Sequence, residues 1–137
     1  MDKVEERMAK AKAKMEELFG PGGFERKGPL FEMAPPEFGD FTRETIFGTI
    51  WADDTLDVKY RSIATMSALI VTGKHRELRF HLRAALRLGF TKEQLIALIC
   101  HFAFYAGIPV ALDALYTAKE VFDRWDPNHP KAKSSKS

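Results

Sequence analysis

Two stretches of helical length in this sequence lack a polar face. From Ile63 to Val71 the chain reads Ile-Ala-Thr-Met-Ser-Ala-Leu-Ile-Val, and the helix expected from Thr91 to Ala106 is apolar on nearly every side. A helix that is hydrophobic all round must be covered all round. The chain has 137 residues, enough for one domain with a single core. About six short helices can bury one such rod, but hardly two together with the apolar faces of the others. The pattern therefore predicts an all-α fold that associates with copies of itself.

The remaining periodicity is helical as well. Val4, Met8, Ala11, Met15 and Leu18 recur at three- and four-residue steps, predicting an amphipathic helix over 2–19 that stops at Gly20-Pro21-Gly22-Gly23. A loop with Pro29, Pro35 and Pro36 follows, and a helix resumes near Asp40 and runs to Trp51. The next runs from about Leu56 to Thr72, with Gly73 as its stop; another from Lys74 to Leu88 ends at Gly89. Thr91-Lys92-Glu93-Gln94 is a capping box, in which the Thr and Gln side chains satisfy each other's free backbone N–H groups. Gly107-Ile108-Pro109 breaks the chain, and Pro109 suits the first turn of a last helix ending near Trp125. No strand-like alternation of useful length and no internal repeat is found.

Composition narrows the function classes. The net charge of +2 argues against a dedicated nucleic-acid binder. The single cysteine, Cys100, cannot form an internal disulfide, which suggests a reducing compartment. The charged start Met-Asp-Lys-Val-Glu-Glu-Arg has no signal-peptide core, and Leu95 to Val110 is too broken to span a bilayer. The expected location is the cytoplasm, with no membrane partner.

Candidate chemistry gathers on the helix from Lys74 to Leu88. At roughly 100° per residue, Arg76, Arg79, Arg83 and Arg87 share one side, whereas Glu77 and His81 fall inside the apolar arc with Leu78, Leu82 and Ala85. Four residues apart, Glu77 and His81 are neighbours one turn apart. A carboxylate beside an imidazole in apolar surroundings can handle protons, and Glu77 is expected to orient His81 and raise its pKa. A buried structural pair without chemistry is the competing reading. His101 and Tyr105, one turn apart on the apolar helix, can line one cavity, although a lone histidine there more often is a satisfied core residue. Arg61 borders the apolar half of its helix and can meet an anionic substrate. The arginine stripe reads first as a solvated or salt-bridged face. No metal-ligand spacing, phosphate loop or Ser-His-Asp arrangement is present, and Cys100 has no second cysteine near it for a dithiol cycle.

Three blocks carry a resemblance. Phe47-Gly48-Thr49-Ile50-Trp51 with Leu56 to Met66, Glu77 to Leu86 with Gly89 to Gln94, and Tyr105-Ala106-Gly107-Ile108-Pro109-Val110-Ala111 resemble, in order, the gamma-carboxymuconolactone decarboxylase family. The resemblance covers about residues 40 to 124. It implies the helical fold shared with alkylhydroperoxidase D proteins and a ring-like homo-oligomer, a hexamer or trimer. It divides the chain into an N-terminal helix and loop (1–39), the family's helical domain (40–125) and a disordered tail (126–137). Where the peroxidase branch has Cys-x-x-Cys, this chain has Lys74 and Glu77, with His81 at the place of that branch's histidine, so a thiol peroxidase is not expected. The family's Trp-x-Arg-Pro-Gly-Leu run is here Trp51-Ala52-Asp53-Asp54-Thr55-Leu56.

The implied activity is loss of CO2 from a small carboxylated unsaturated lactone, as in aromatic-compound breakdown. Electrons left behind flow to a conjugated carbonyl, so no cofactor and no metal is needed. For such a reaction His81, oriented by Glu77, is the expected proton donor, and Arg61, Tyr105, His101 and Trp51 are expected to bind the anionic substrate. Other expectations compatible with the scaffold are a cofactor-free isomerase or hydrolase and a non-catalytic ligand-binding oligomer.

Overall fold

The computed structural model describes residues 2–26 and 28–126. Among them are seven α-helices and one π-helical segment, with no strand, as an all-α fold requires. The expected tail lies outside the described residues except for Asp126. The chain divides into two compact units at Val58/Lys59.

In the first unit, α1 (Lys3–Phe19) opens with a capping box: the Glu5 N–H donates to Asp2 Oδ1 at 2.8 Å and the Asp2 N–H to Glu5 Oε2 at 3.2 Å. Its buried face is Ala11, Met15 and Leu18, the four- and three-residue steps of one helix side. The proline-bearing stretch is not one open loop. It forms two short helices, α2 (Pro29–Met33) and α3 (Pro36–Thr42), each with proline in its first turn. Proline has no N–H to lose there, and its fixed φ suits the helix. The α3 coil then widens into the π segment Arg43–Ile50. The Trp51 N–H reaches the Ile46 carbonyl five residues back, and the Thr49 hydroxyl takes up the Glu44 carbonyl.

Packing of α1 on the π segment rests on three contacts. A Cβ at Gly48 would run into the Arg7 carbonyl, so only glycine allows this approach. The Arg7 guanidinium meets Glu44 Oε1 at 2.6 and 2.7 Å. Phe19, Phe47 and Trp51 continue as an aromatic row, edge-on at 5.6 Å and stacked at 6.3 Å.

The second unit holds α4 (Val58–Val71), α5 (His75–Arg87), α6 (Lys92–Tyr105) and α7 (Ile108–Arg124). Two Schellman motifs end the first two of these. After α4, the Lys74 N–H bonds the Leu69 carbonyl and the Gly73 N–H that of Ile70; after α5, Phe90 bonds Ala85 and Gly89 bonds Leu86. Gly73 and Gly89 sit at φ 69° and 102°, where a side chain would be strained. The predicted capping box of α6 is present, with Gln94 N–H to Thr91 Oγ1 at 3.0 Å and Thr91 N–H to Gln94 Oε1 at 2.9 Å. Met66 and Ile70 of α4, Leu78, Leu82 and Ala85 of α5, Leu95 and Ile99 of α6, and Ala111, Ala114, Ala118 and Val121 of α7 form one core.

This core does not cover the apolar helices. On α6 only Leu95 and Ile99 are fully buried, while Phe104 is 91% and Tyr105 74% exposed. Ile108, Leu112 and Tyr116 continue an exposed apolar row at four-residue steps along α7. No helix among the described residues is long and apolar enough to cross a membrane.

Candidate active site

His81 stands on α5 between the core positions Leu78, Leu82 and Ala85. Its side chain is mostly removed from water, and that burial pushes its pKa down from 6.5 to about 4. An imidazolium loses its hydration on burial, so the neutral ring is favoured. Glu77, one turn earlier, is exposed. The expected upward push from a buried carboxylate neighbour is therefore not what governs this histidine; loss of water governs it. Glu77 and His81 share the same broad arc of α5, but the packed edge of that arc stops between them.

The α4 helix buries a polar group. Ser62, Met66 and Ile70 repeat every fourth residue and are buried together. The Ser62 hydroxyl is 1% exposed as a residue and its Oγ has no hydrogen-bond partner among the described residues. Buried hydroxyls are normally satisfied, as Ser67 is here by the Ile63 carbonyl at 2.7 Å. Arg61, its chain neighbour, is half-buried. Ser62 is not among the residues expected from the sequence; its four-residue spacing from Met66 and Ile70 is the signal for an inward hydroxyl.

Elsewhere the structure corrects one reading and sorts the others. His101 is not a satisfied core residue: it is exposed, because the covered side of α6 is the Leu95–Ile99 side. Its ring leans on Tyr105 at 4.9 Å between centroids, so these two are brought together, on the outer face of α6. Cys100 beside them is exposed. Trp51 belongs to the first unit, buried and stacked on Phe47. The arginine stripe is only partly solvated. Arg76 is exposed, whereas Arg79, Arg83 and Arg87 are half-buried, Arg79 donating to Glu120 of α7 at 3.1 Å. No group of three or more metal-ligating side chains occurs among the described residues.

The sequence profile of the carboxymuconolactone decarboxylase family matches residues 36–120, from the start of α3 to the last turns of α7. The chain belongs to this family. It is 38% identical over 86 residues to a 4-carboxymuconolactone decarboxylase of Acinetobacter baylyi, covering 63% of this chain and 64% of that protein. It is 33% identical over 84 residues to a nitrosuccinic acid decarboxylase of Metarhizium robertsii, covering 61% and 59%. The matched part thus spans less than two thirds of either relative. His81, Ser62 and Arg61 all lie inside the family region.

Proposed function

We propose that this chain is a cofactor-free decarboxylase for a small, carboxylated, unsaturated lactone or a related acid, with His81 as the proton donor to carbon. The observation that carries the reading is an imidazole buried on α5 within the matched region of a family whose relatives include two decarboxylases. The acids in those relatives' names share one property. Breaking the C–CO2 bond leaves an electron pair that an adjacent oxygen-bearing group, a conjugated lactone carbonyl or a nitro group, can accept. Such a reaction asks the protein to desolvate the carboxylate, stabilise the oxyanion and return one proton.

With its pKa near 4, His81 is neutral at pH 7 in the free chain. A substrate carboxylate brought beside it supplies the opposite charge that raises the pKa and loads the ring with the proton to be delivered. Arg61 holds a second carboxylate, and the Ser62 hydroxyl is a donor for the developing oxyanion. Glu77 stands one turn from His81, about 5–6 Å between Cβ atoms, and orients the ring when substrate is bound. Tyr105 and His101, in contact on α6, add to the binding surface. In this reading Tyr105 and His101 acquire their cover from a second copy, because Phe104, Tyr105, Ile108, Leu112 and Tyr116 give α6 and α7 an aromatic-rich exposed face. The assembly is a homo-oligomeric ring, a trimer or hexamer.

The test is CO2 release from 4-carboxymuconolactone and from nitrosuccinate by wild type and H81Q. Loss of general acid help is expected to lower turnover by about 10²–10⁴-fold. A folded H81Q protein that turns over like wild type would overturn the assignment of His81, and binding of either acid without CO2 release would overturn the decarboxylase reading.

A further inference from the structure

The seam between α5 and α7 is a ladder of polar contacts with one rung unfilled. His75 Nδ1 and Thr117 Oγ1 lie 2.8 Å apart. One turn on, an Arg79 guanidinium nitrogen donates to Glu120 Oε1 at 3.1 Å. Two turns beyond that, the Arg87 guanidinium lies 5.5 Å from the centroid of the Trp125 ring. Residue numbers rise together on both sides, so this stretch of the two helices runs in the same sense. Arg83, four residues from Arg79 and four from Arg87, falls on the rung between them.

On that rung α7 offers no free carboxylate. Glu120 is engaged by Arg79, and Asp123 is held by Lys119 at 2.7 Å. The Arg83 guanidinium stacks over Phe80 of its own helix at 5.0 Å, and no carboxylate pairs with it among the described residues. Arg83 is nonetheless half-buried, and burial together with the neighbouring Arg79 charge holds its pKa below the usual arginine range. Arg79 contributes a second unmet donor, since its Nε is buried without a hydrogen-bond partner among the described residues. Two half-buried guanidiniums and one carboxylate leave a net positive charge on this stretch of the seam. A guanidinium presents planar, paired N–H groups that match the oxygens of a carboxylate or phosphate.

We propose that the Arg79–Arg83 stretch of the α5–α7 seam binds a small oxyanion, a carboxylate or phosphate group, with Arg83 as principal ligand and Arg79 Nε as second donor. On the α5 wheel Arg83 lies about 160° from His81, so this site is separate from the proposed active site and stands whether or not that reading holds.

Thermal unfolding in rising inorganic phosphate, with sodium chloride adjusted to constant ionic strength, tests it. Wild type is expected to gain several degrees in Tm as phosphate reaches tens of millimolar. R83M, which keeps the apolar stem, loses the gain; R76M, altered at the exposed arginine of the same stripe, keeps it. Equal gains in R83M and wild type, or no gain in wild type, overturn the proposal. Should R83M fail to fold, titration calorimetry of wild type with phosphate against sodium chloride of the same ionic strength decides. Saturable heat with phosphate alone supports the site, and its absence overturns it.

Discussion

His81 makes a strong commitment about pH. Its pKa is 6.5 when exposed and about 4 in the fold, so between those values the unfolded chain holds the proton more tightly. Stability then rises with pH, because the unfolded state binds more protons. The contribution is fully present above about pH 6.5 and is lost as pH falls through about 4. At about 1.4 kcal/mol per pH unit, the gap corresponds to a limit of about 3 kcal/mol, with about 2 kcal/mol already gone at pH 5. H81Q cannot titrate. Urea unfolding of both proteins at pH 7, 6, 5 and 4.5 should therefore show the wild type losing about 2 kcal/mol more than H81Q between pH 7 and pH 5. Carboxylates titrate alike in both proteins and cancel in the difference. Parallel curves, or a proton NMR titration placing His81 at or above 6.5, would refute the claim that burial rather than Glu77 sets this group. E77Q should leave the His81 titration nearly where it was, since Glu77 is in water.

Two further outcomes follow from packing. Gly48→Ala forces a methyl onto the Arg7 carbonyl, and chemical unfolding should register a loss of about 1–3 kcal/mol, typical of overpacking. Leu112→Glu places a charge in the exposed apolar row of α7; light scattering should show a smaller assembly than wild type, and an unchanged mass would count against that face as the one a second copy covers.

What could be read directly from the sequence was whatever is settled within a few residues. The Thr91–Gln94 box and the Gly73 and Gly89 stops appear as expected, since the groups that satisfy each other are chain neighbours. The short α2 and α3 helices are not legible locally, because a proline marks a loop as readily as the first turn of a helix. Family membership was legible in blocks whose order and spacing survive substitution.

Burial along a single helix was different. Glu77 and His81 are close on the α5 wheel, yet one is exposed and the other mostly buried; His101, on an apolar helix, faces outward, and Ser62 faces inward. Periodicity says which residues share a face, but solvation depends on how far the neighbouring elements extend over it. The sequence by itself determined the helices, their caps and an excess of apolar surface, because these are local or additive. Only the tertiary structure decided which imidazole is dehydrated and which arginine on the α5–α7 seam has no carboxylate beside it among the described residues, because both depend on side chains distant in the chain.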